Sequence, residues 1–231
     1  MVFGGLQKNS FIDYPGKISC VLFTRGCNFD CPYCHNPELV TGGPACETLP
    51  PERVYDFLEQ RRGFLEGVVI SGGEPTLQKD LADACAKIKR LGYPVKIDTN
   101  GSHPEVIRTL VERHLVDYIA MDVKTDPAGY APLITRHSDP DLILASIRLI
   151  MSSGLPHEFR TTCIKPIVDE HTIDTIARII AGARLYALQN FQTADVLHPE
   201  FFTGNDCIYG DADLKRFREV AAPHVVECII R

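Results

Sequence analysis

The chain has 231 residues, 45% hydrophobic and 23% charged, with a formal net charge of −6. That is ordinary globular composition, long enough for a single α/β domain of barrel size, and with no dense Lys/Arg block it carries no footprint for nucleic acid or a membrane surface. No apolar run reaches bilayer length, and Met1 to Gly16 lacks the basic-then-apolar pattern of a signal peptide, so a cytoplasmic protein is expected.

Short β-branched runs alternate with longer amphipathic ones along the chain. Strands are expected at 18–23, 67–71, 95–99, 118–123, 158–164, 185–191 and 225–230. Helices are expected at 52–65, 80–91, 104–115, 141–153, 172–181 and 213–221, several of them stopped by glycine as at Gly92 and Gly154. This alternation predicts a parallel sheet with helices outside, its strands apolar throughout because both faces are covered. Periodicity leaves a doubly wound sheet and a full or partial barrel equally open. The long irregular stretches 27–50 and 192–210 are of a length that usually carries function.

Polar and glycine-rich clusters fall at the strand ends. Cys27, Cys31 and Cys34 follow the first strand, and Ser71-Gly72-Gly73-Glu74-Pro75 the second. Asp98-Thr99-Asn100-Gly101 ends the third, and Asp122-Val123-Lys124 the fourth. Arg160 lies in the fifth with Lys165 at its end, and Gln189, Asn190 and Gln192 close the sixth. In parallel α/β folds, sites form at the carboxyl ends of strands, so one site is expected from these clusters.

The cysteine run has the spacing C-x-x-x-C-x-x-C with no fourth cysteine. Cubanes are normally held by four thiolates, so three would leave one iron open to a substrate or cofactor. Pro32 keeps Cys31 out of helix. A zinc site using His35 is the competing reading, although adjacent Cys34 and His35 are awkward joint ligands. The remaining cysteines, Cys20, Cys46, Cys85, Cys163, Cys207 and Cys228, read as small buried apolar residues.

Gly72 and Gly73 could let backbone approach a ligand, with Glu74 offering a carboxylate to an ammonium group; alternatively Ser71 and Glu74 have capping-box spacing ahead of a helix. Asp98 and Thr99 suit a hydroxyl or a small cation, or form a plain strand exit. Asp122 and Lys124 share a strand face and must be paired or bind ligand; Arg160, if inward, suits a carboxylate.

Cys27-x-x-x-Cys31-x-Tyr33-Cys34 resembles the signature of the radical S-adenosylmethionine (SAM) superfamily. The segments Ser10-Phe-Ile-Asp-Tyr-Pro-Gly-Lys17, Phe23-Thr-Arg-Gly-Cys27 and Cys34-His-Asn-Pro-Glu38 are similar to the activating enzymes of glycyl radical enzymes, and among them to the short, pyruvate-formate-lyase-activase-like activators of anaerobic ribonucleoside-triphosphate reductase. The resemblance implies a partial (β/α)6 TIM-like barrel over residues 1–231, with its core at about 16–191 and a C-terminal helix and strand at about 211–230. It implies one [4Fe–4S] cluster on Cys27, Cys31 and Cys34. It also implies SAM held by Tyr33, Gly72, Gly73, Glu74, Asp98, Thr99, Asp122, Lys124 and Arg160, and a monovalent cation near Asp98 and Asp122. Asp13 falls where relatives carry an Asp-Gly-Pro-Gly turn near the protein substrate; here the turn reads Asp-Tyr-Pro-Gly.

The implied chemistry is one-electron cleavage of SAM to methionine and a 5′-deoxyadenosyl radical, which takes hydrogen from a glycine of a partner, anaerobic ribonucleotide reductase being favoured. A flavodoxin or ferredoxin is the implied donor, since cubane potentials reach roughly −700 mV. Many relatives insert extra cysteines before the Gly-Gly-Glu strand, whereas here only Cys46 lies between Cys34 and Ser71. Two other classes fit the motifs. One is a radical SAM enzyme acting on another glycyl radical enzyme, a small molecule or a peptide. The other is a non-catalytic zinc or iron–sulfur module, which leaves the strand-end clusters unexplained.

Overall fold

The computed structural model describes every residue except 2, 43–47, 137–138, 193–194 and 203–206; Cys46, read above as a packing cysteine, lies outside the described residues. The chain gathers into two compact units. One comprises Met1–Asn28, Glu38–Thr99 and Glu105–Ile119, the other Phe29–Pro37, Asn100–Pro104 and Ala120–Arg231.

The first unit carries β1 (Phe3–Ser10), β2 (Ser19–Thr24), α1 (Pro37–Thr41), α2 (Pro51–Gln60), β3 (Gly67–Gly72), α3 (Leu81–Arg90), β4 (Val95–Thr99) and α4 (Pro104–Glu112). Strands β2, β3 and β4 pair in parallel. In β3 the β-branched run Val68-Val69-Ile70 is wholly buried, as a strand covered on both faces must be. Helix α3 turns Leu81, Ala84, Cys85 and Ile88 inward and packs on β4. Asp83 in its first turn and Lys87, Lys89 and Arg90 in its last complement the helix dipole. Each large aliphatic side chain buried here contributes about 1.5–3 kcal/mol, and Ile70→Ala or Ile88→Ala would cost about 2–5 kcal/mol. Asp117 pins the start of β4, accepting from the Val95 N–H (2.8 Å) and from Lys89 Nζ (2.6 Å).

In this unit three features depart from the sequence expectation. Strand β1 was not foreseen, and it runs antiparallel to β2. Helix α2 stops at Gln60 rather than at 65, because the chain turns at Arg61 and Gly63 takes φ +80°. Helix α4 stops at Glu112 rather than at 115, just before His114 adopts φ 53°.

Strand β5 (Tyr118–Asp122) begins in the first unit and ends in the second. The second unit continues with a short helical turn α5 (Tyr130–Leu133), then α6 (Pro140–Ser152), β6 (His157–Cys163), α7 (Glu170–Ile179), β7 (Tyr186–Asn190), α8 (Asp211–Ala221) and β8 (Cys228–Ile230). β6, β7 and β8 pair in parallel, and α8 packs on α7, β7 and β8. Just past β5, the Val123 N–H donates to the Arg160 carbonyl (2.8 Å) and the Val123 carbonyl accepts from Thr161 Oγ1 (2.8 Å).

Helix α6 begins with Pro140 in its first turn behind an Asp139 cap, and α7 behind Asp169, whose Oδ1 accepts from the Thr172 N–H (2.8 Å). Ser146, buried among Ile143, Ile147 and Ile150, donates to the Gly101 carbonyl (2.6 Å) and so satisfies its hydroxyl. The last strand spans three residues rather than the six expected.

Candidate active site

In the first unit the exits of β2 and β3 are locked together. The Gly73 N–H donates to the Thr24 carbonyl (2.9 Å) and the Glu74 N–H to the Gly26 carbonyl (2.8 Å). Gly72 takes φ +107°, and a Cβ there would stand 2.6 Å from the Thr24 nitrogen. On Gly73 a Cβ would stand 2.0 Å from the Gly26 oxygen. Within this unit the glycine pair admits the backbone that leads into Cys27.

Glu74 is 1% exposed. Its Oε1 accepts from the Thr76 N–H (3.0 Å), Thr76 Oγ1 (2.5 Å) and Thr99 Oγ1 (2.8 Å). It caps the 3-10 turn Pro75–Leu77, with Pro75 in the first-turn position proline prefers, so the Ser71–Glu74 capping box gives way to Glu74 as the cap itself. Three donors on one oxygen fix the carboxylate rigidly. Beside Thr99, Asp98 pairs through Oδ1 with Lys96, a residue the sequence reading passed over.

In the second unit Cys31 and Tyr33 are buried and Cys34 half-buried on an irregular loop, as Pro32 led one to expect. The loop is held from two sides. From one side the Asp30 N–H donates to the Ile134 carbonyl (2.8 Å), and Phe29 meets Tyr130 edge-on at 5.7 Å. From the other, the segment after β7 straps it: Leu197 N–H donates to the Cys34 carbonyl and His198 N–H to the Pro32 carbonyl, both at 3.1 Å. The His198 ring lies 2.9 Å from both Asp30 and Glu200. His35 stacks on Phe191 at 5.5 Å and meets the Gln192 carbonyl at 3.1 Å. Phe191 and Gln192 thus hold His35.

Asp122 lies between two cations of its own unit, with Lys124 Nζ 2.8 Å from Oδ2 and Arg160 Nε 2.6 Å from Oδ1. Burial alone would raise the Asp122 pKa, but the Arg160 and Lys124 charges and hydrogen bonds overcome it and hold the carboxyl well below the usual range. Burial likewise disfavours a charged Lys124, and Asp122 overcomes that, raising its pKa well above the ordinary lysine value. The Lys124 N–H donates to Tyr130 Oη (2.9 Å), which anchors this strand exit to the ring that packs on Phe29. The buried Tyr33 hydroxyl has no hydrogen-bond partner among the described residues. Burial pushes its pKa well up, so it stays protonated as a donor.

Among the described residues, no three His, Cys, Asp or Glu side chains gather as for one bound ion. The donor set nonetheless suits an iron–sulfur cluster and SAM in kind: three thiols on a loop whose carbonyls are tied off, a rigid carboxylate, a pair of fixed cations, and a protonated tyrosine with a hydrogen bond to give. Elsewhere, burial pushes the Cys20, Cys85 and Cys163 thiols up to about 12, so these are packing cysteines, as expected.

Residues 21–179 match the radical SAM superfamily model. The chain belongs to the radical SAM superfamily. That family implies a [4Fe–4S] cluster and SAM. A Methanocaldococcus jannaschii protein named as a glycyl-radical enzyme activating enzyme is 41% identical over 205 residues, covering 85% of this chain and 82% of its own. A pyruvate formate-lyase-activating enzyme of Streptococcus mutans is 26% identical over 198 residues, covering 80% and 72%. These relatives place this radical SAM chain among the glycyl-radical activating enzymes.

The crystal structure of Streptococcus suis SuiB bound to its precursor peptide SuiA matches with a TM-score of 0.69 at 16% identity, over 91% of this chain and 48% of that one. SuiB bound to S-adenosylmethionine gives 0.66, over 91% and 51%. This chain thus spans about half the length of SuiB, and the likeness bears out the TIM-like α/β barrel fold. No helix of the described residues is long and apolar enough to cross a membrane.

Lys96, Thr76, Tyr130, His198 and the His35–Phe191 stack were missed from sequence. Only Lys96 left a signal there, a charged residue inside an apolar strand two positions from Asp98.

Proposed function

We propose that this activating enzyme serves an anaerobic ribonucleoside-triphosphate reductase, drawing electrons from a flavodoxin or ferredoxin in the cytoplasm, with the whole chain as one catalytic domain and a single cluster. The observation that carries the reading is the three-cysteine loop with no fourth ligand in its run, tied down through the carbonyls of Pro32 and Cys34. We assign Cys27, Cys31 and Cys34 to three irons.

When bound, the cluster and SAM supply a 5′-deoxyadenosyl radical, with methionine as the other product. The chain's part is to bind and orient. Glu74, its Oε1 fixed by Thr76 and Thr99, takes the methionyl ammonium. Lys124, kept cationic by ionised Asp122, and Arg160 take the methionyl carboxylate without reorganising. Tyr33 donates its hydroxyl on the adenine side, Asp98 and Thr99 serve the ribose side, and Gly72 and Gly73 hold the Glu74 backbone against the segment leading to Cys27.

The test is anaerobic reconstitution followed by reduction with SAM. About four irons per chain and formation of 5′-deoxyadenosine are expected. Adding the reductase should give the doublet electron paramagnetic resonance signal of a glycyl radical. Absence of 5′-deoxyadenosine would sink the SAM assignment. Cleavage without a glycyl signal would sink the reductase as partner, and about eight irons the single cluster.

A further inference from the structure

Lys96 and Asp98 sit two positions apart on β4 and so share a face. The Lys96 side chain is 1% exposed and that of Asp98 11%, with Nζ against Oδ1. Nζ also lies 5.8 Å from the centre of the Tyr118 ring, and Tyr118 in turn packs against Tyr14 at 5.9 Å. An ammonium this deeply buried persists only beside a counter-charge, and an aromatic face adds to its stabilisation.

Asp98 is one of the two carboxylates that the motif reading offered to a small inorganic cation. A potassium or sodium ion on Asp98 would have to share the carboxylate with an ammonium already in contact, and two like charges at that range repel strongly away from water. Asp122, the other carboxylate, carries both Lys124 and Arg160.

We propose that Lys96 is the resident cation of this site: its ammonium takes the place of an inorganic monovalent ion at Asp98, and the enzyme works independently of potassium and sodium. Lys96 is thus a positioning residue. It holds the Asp98 carboxylate in place through the Nζ–Oδ1 contact, and does not itself touch the substrate. The role in SAM binding rests on the activase reading above; the charge replacement itself does not.

The experiment is an ion swap at constant ionic strength among potassium, sodium and choline chlorides. It is read out by SAM affinity of the reconstituted enzyme and by thermal melting of the cluster-free chain. For the wild-type chain, affinity should stay within about twofold across the three salts and melting should not move. Lys96→Met should lose about tenfold in affinity in choline, recover it in potassium or sodium, and melt higher in those ions than in choline. Lys96→Gln replaces it if Lys96→Met does not fold.

A wild-type loss of about tenfold or more in choline overturns the proposal, whatever the variants do. So does a folded variant whose affinity and melting ignore the ion. If the reconstituted enzyme fails to cleave SAM, the activase reading falls, while the melting comparison still decides the role of Lys96.

Discussion

The main-chain N–H of Glu74 donates to the carbonyl oxygen of Gly26 at 2.8 Å. The acid assigned to the methionyl ammonium is thereby tied to the residue directly ahead of Cys27. The tie depends on Gly73, where a Cβ would fall 2.0 Å from that same oxygen. Gly73→Ala must push the two strand exits apart, at a cost of about 2 kcal/mol or more. Its melting temperature should fall, and its iron content after reconstitution should drop more steeply than that of a control such as Lys8→Ala. Iron content and melting both equal to wild type would show that the close approach is dispensable.

The Lys124–Asp122–Arg160 group sets a pH window for stability. Asp122 has a lowered pKa, so its contribution is complete above the ordinary carboxylate value of about 4 and is lost as pH falls through the folded value. Lys124 has a raised pKa, so its contribution is complete below the ordinary lysine value of about 10.4 and is lost as pH rises through the folded value. Between these limits the group is at full strength. Asp122→Asn leaves two partly buried cations without their counter-charge and should cost about 2–4 kcal/mol at neutral pH. Denaturant melts from pH 3 to 7 check this: the wild-type loss at the acid end should be visibly shallower in the variant. Parallel curves would remove Asp122 as the source.

The order of elements was legible because apolar runs and glycine stops are local; β4 falls at the expected 95–99 and β3 within a residue of expectation. Strand β1 was not, since Gly4, Gly5, Gln7, Lys8 and Asn9 give it neither alternation nor β-branching, and its pairing with β2 supplies the structure. At the site, chemistry-bearing residues declared themselves by type and spacing. What held them did not. His198 reaches Asp30 across 168 positions and Thr99 reaches Glu74 across 25, and nothing in either neighbourhood announces the other. Lys96 stands in the sequence as a charge inside an apolar strand, but Tyr118, 22 positions away on the next strand, shows beside it only in the fold.

His198 offers a spectroscopic check on the strap over the cysteine loop. Hydrogen bonding to Asp30, then to Glu200, raises its pKa above the ordinary histidine value. The charged strap is therefore complete below about pH 6.5 and weakens as pH rises through the folded value. Ring-proton titration by nuclear magnetic resonance should place His198 above the ordinary histidine value of about 6.5. Asp30→Asn should bring it back down. A His198 titration unmoved by Asp30→Asn would mean that the contact does not form in solution.

Thiol alkylation of the cluster-free chain separates two of the assigned ligands, Cys27 and Cys34, from three packing cysteines. Cys27 and Cys34 are half-buried, whereas Cys20, Cys85 and Cys163 are buried, and burial pushes those three thiols up to about 12. Only a thiolate attacks iodoacetamide, so at pH 8 the buried three hold about one part in ten thousand of the reactive form. Peptide mass mapping after brief labelling should find Cys27 and Cys34 modified and Cys20, Cys85 and Cys163 intact. After cluster reconstitution, Cys27 and Cys34 should become protected as well, because a thiolate bound to iron is no longer free to attack. Labelling of Cys27 and Cys34 that is unchanged by a full complement of iron would mean that the iron is bound elsewhere, and would remove the three-cysteine loop as its site.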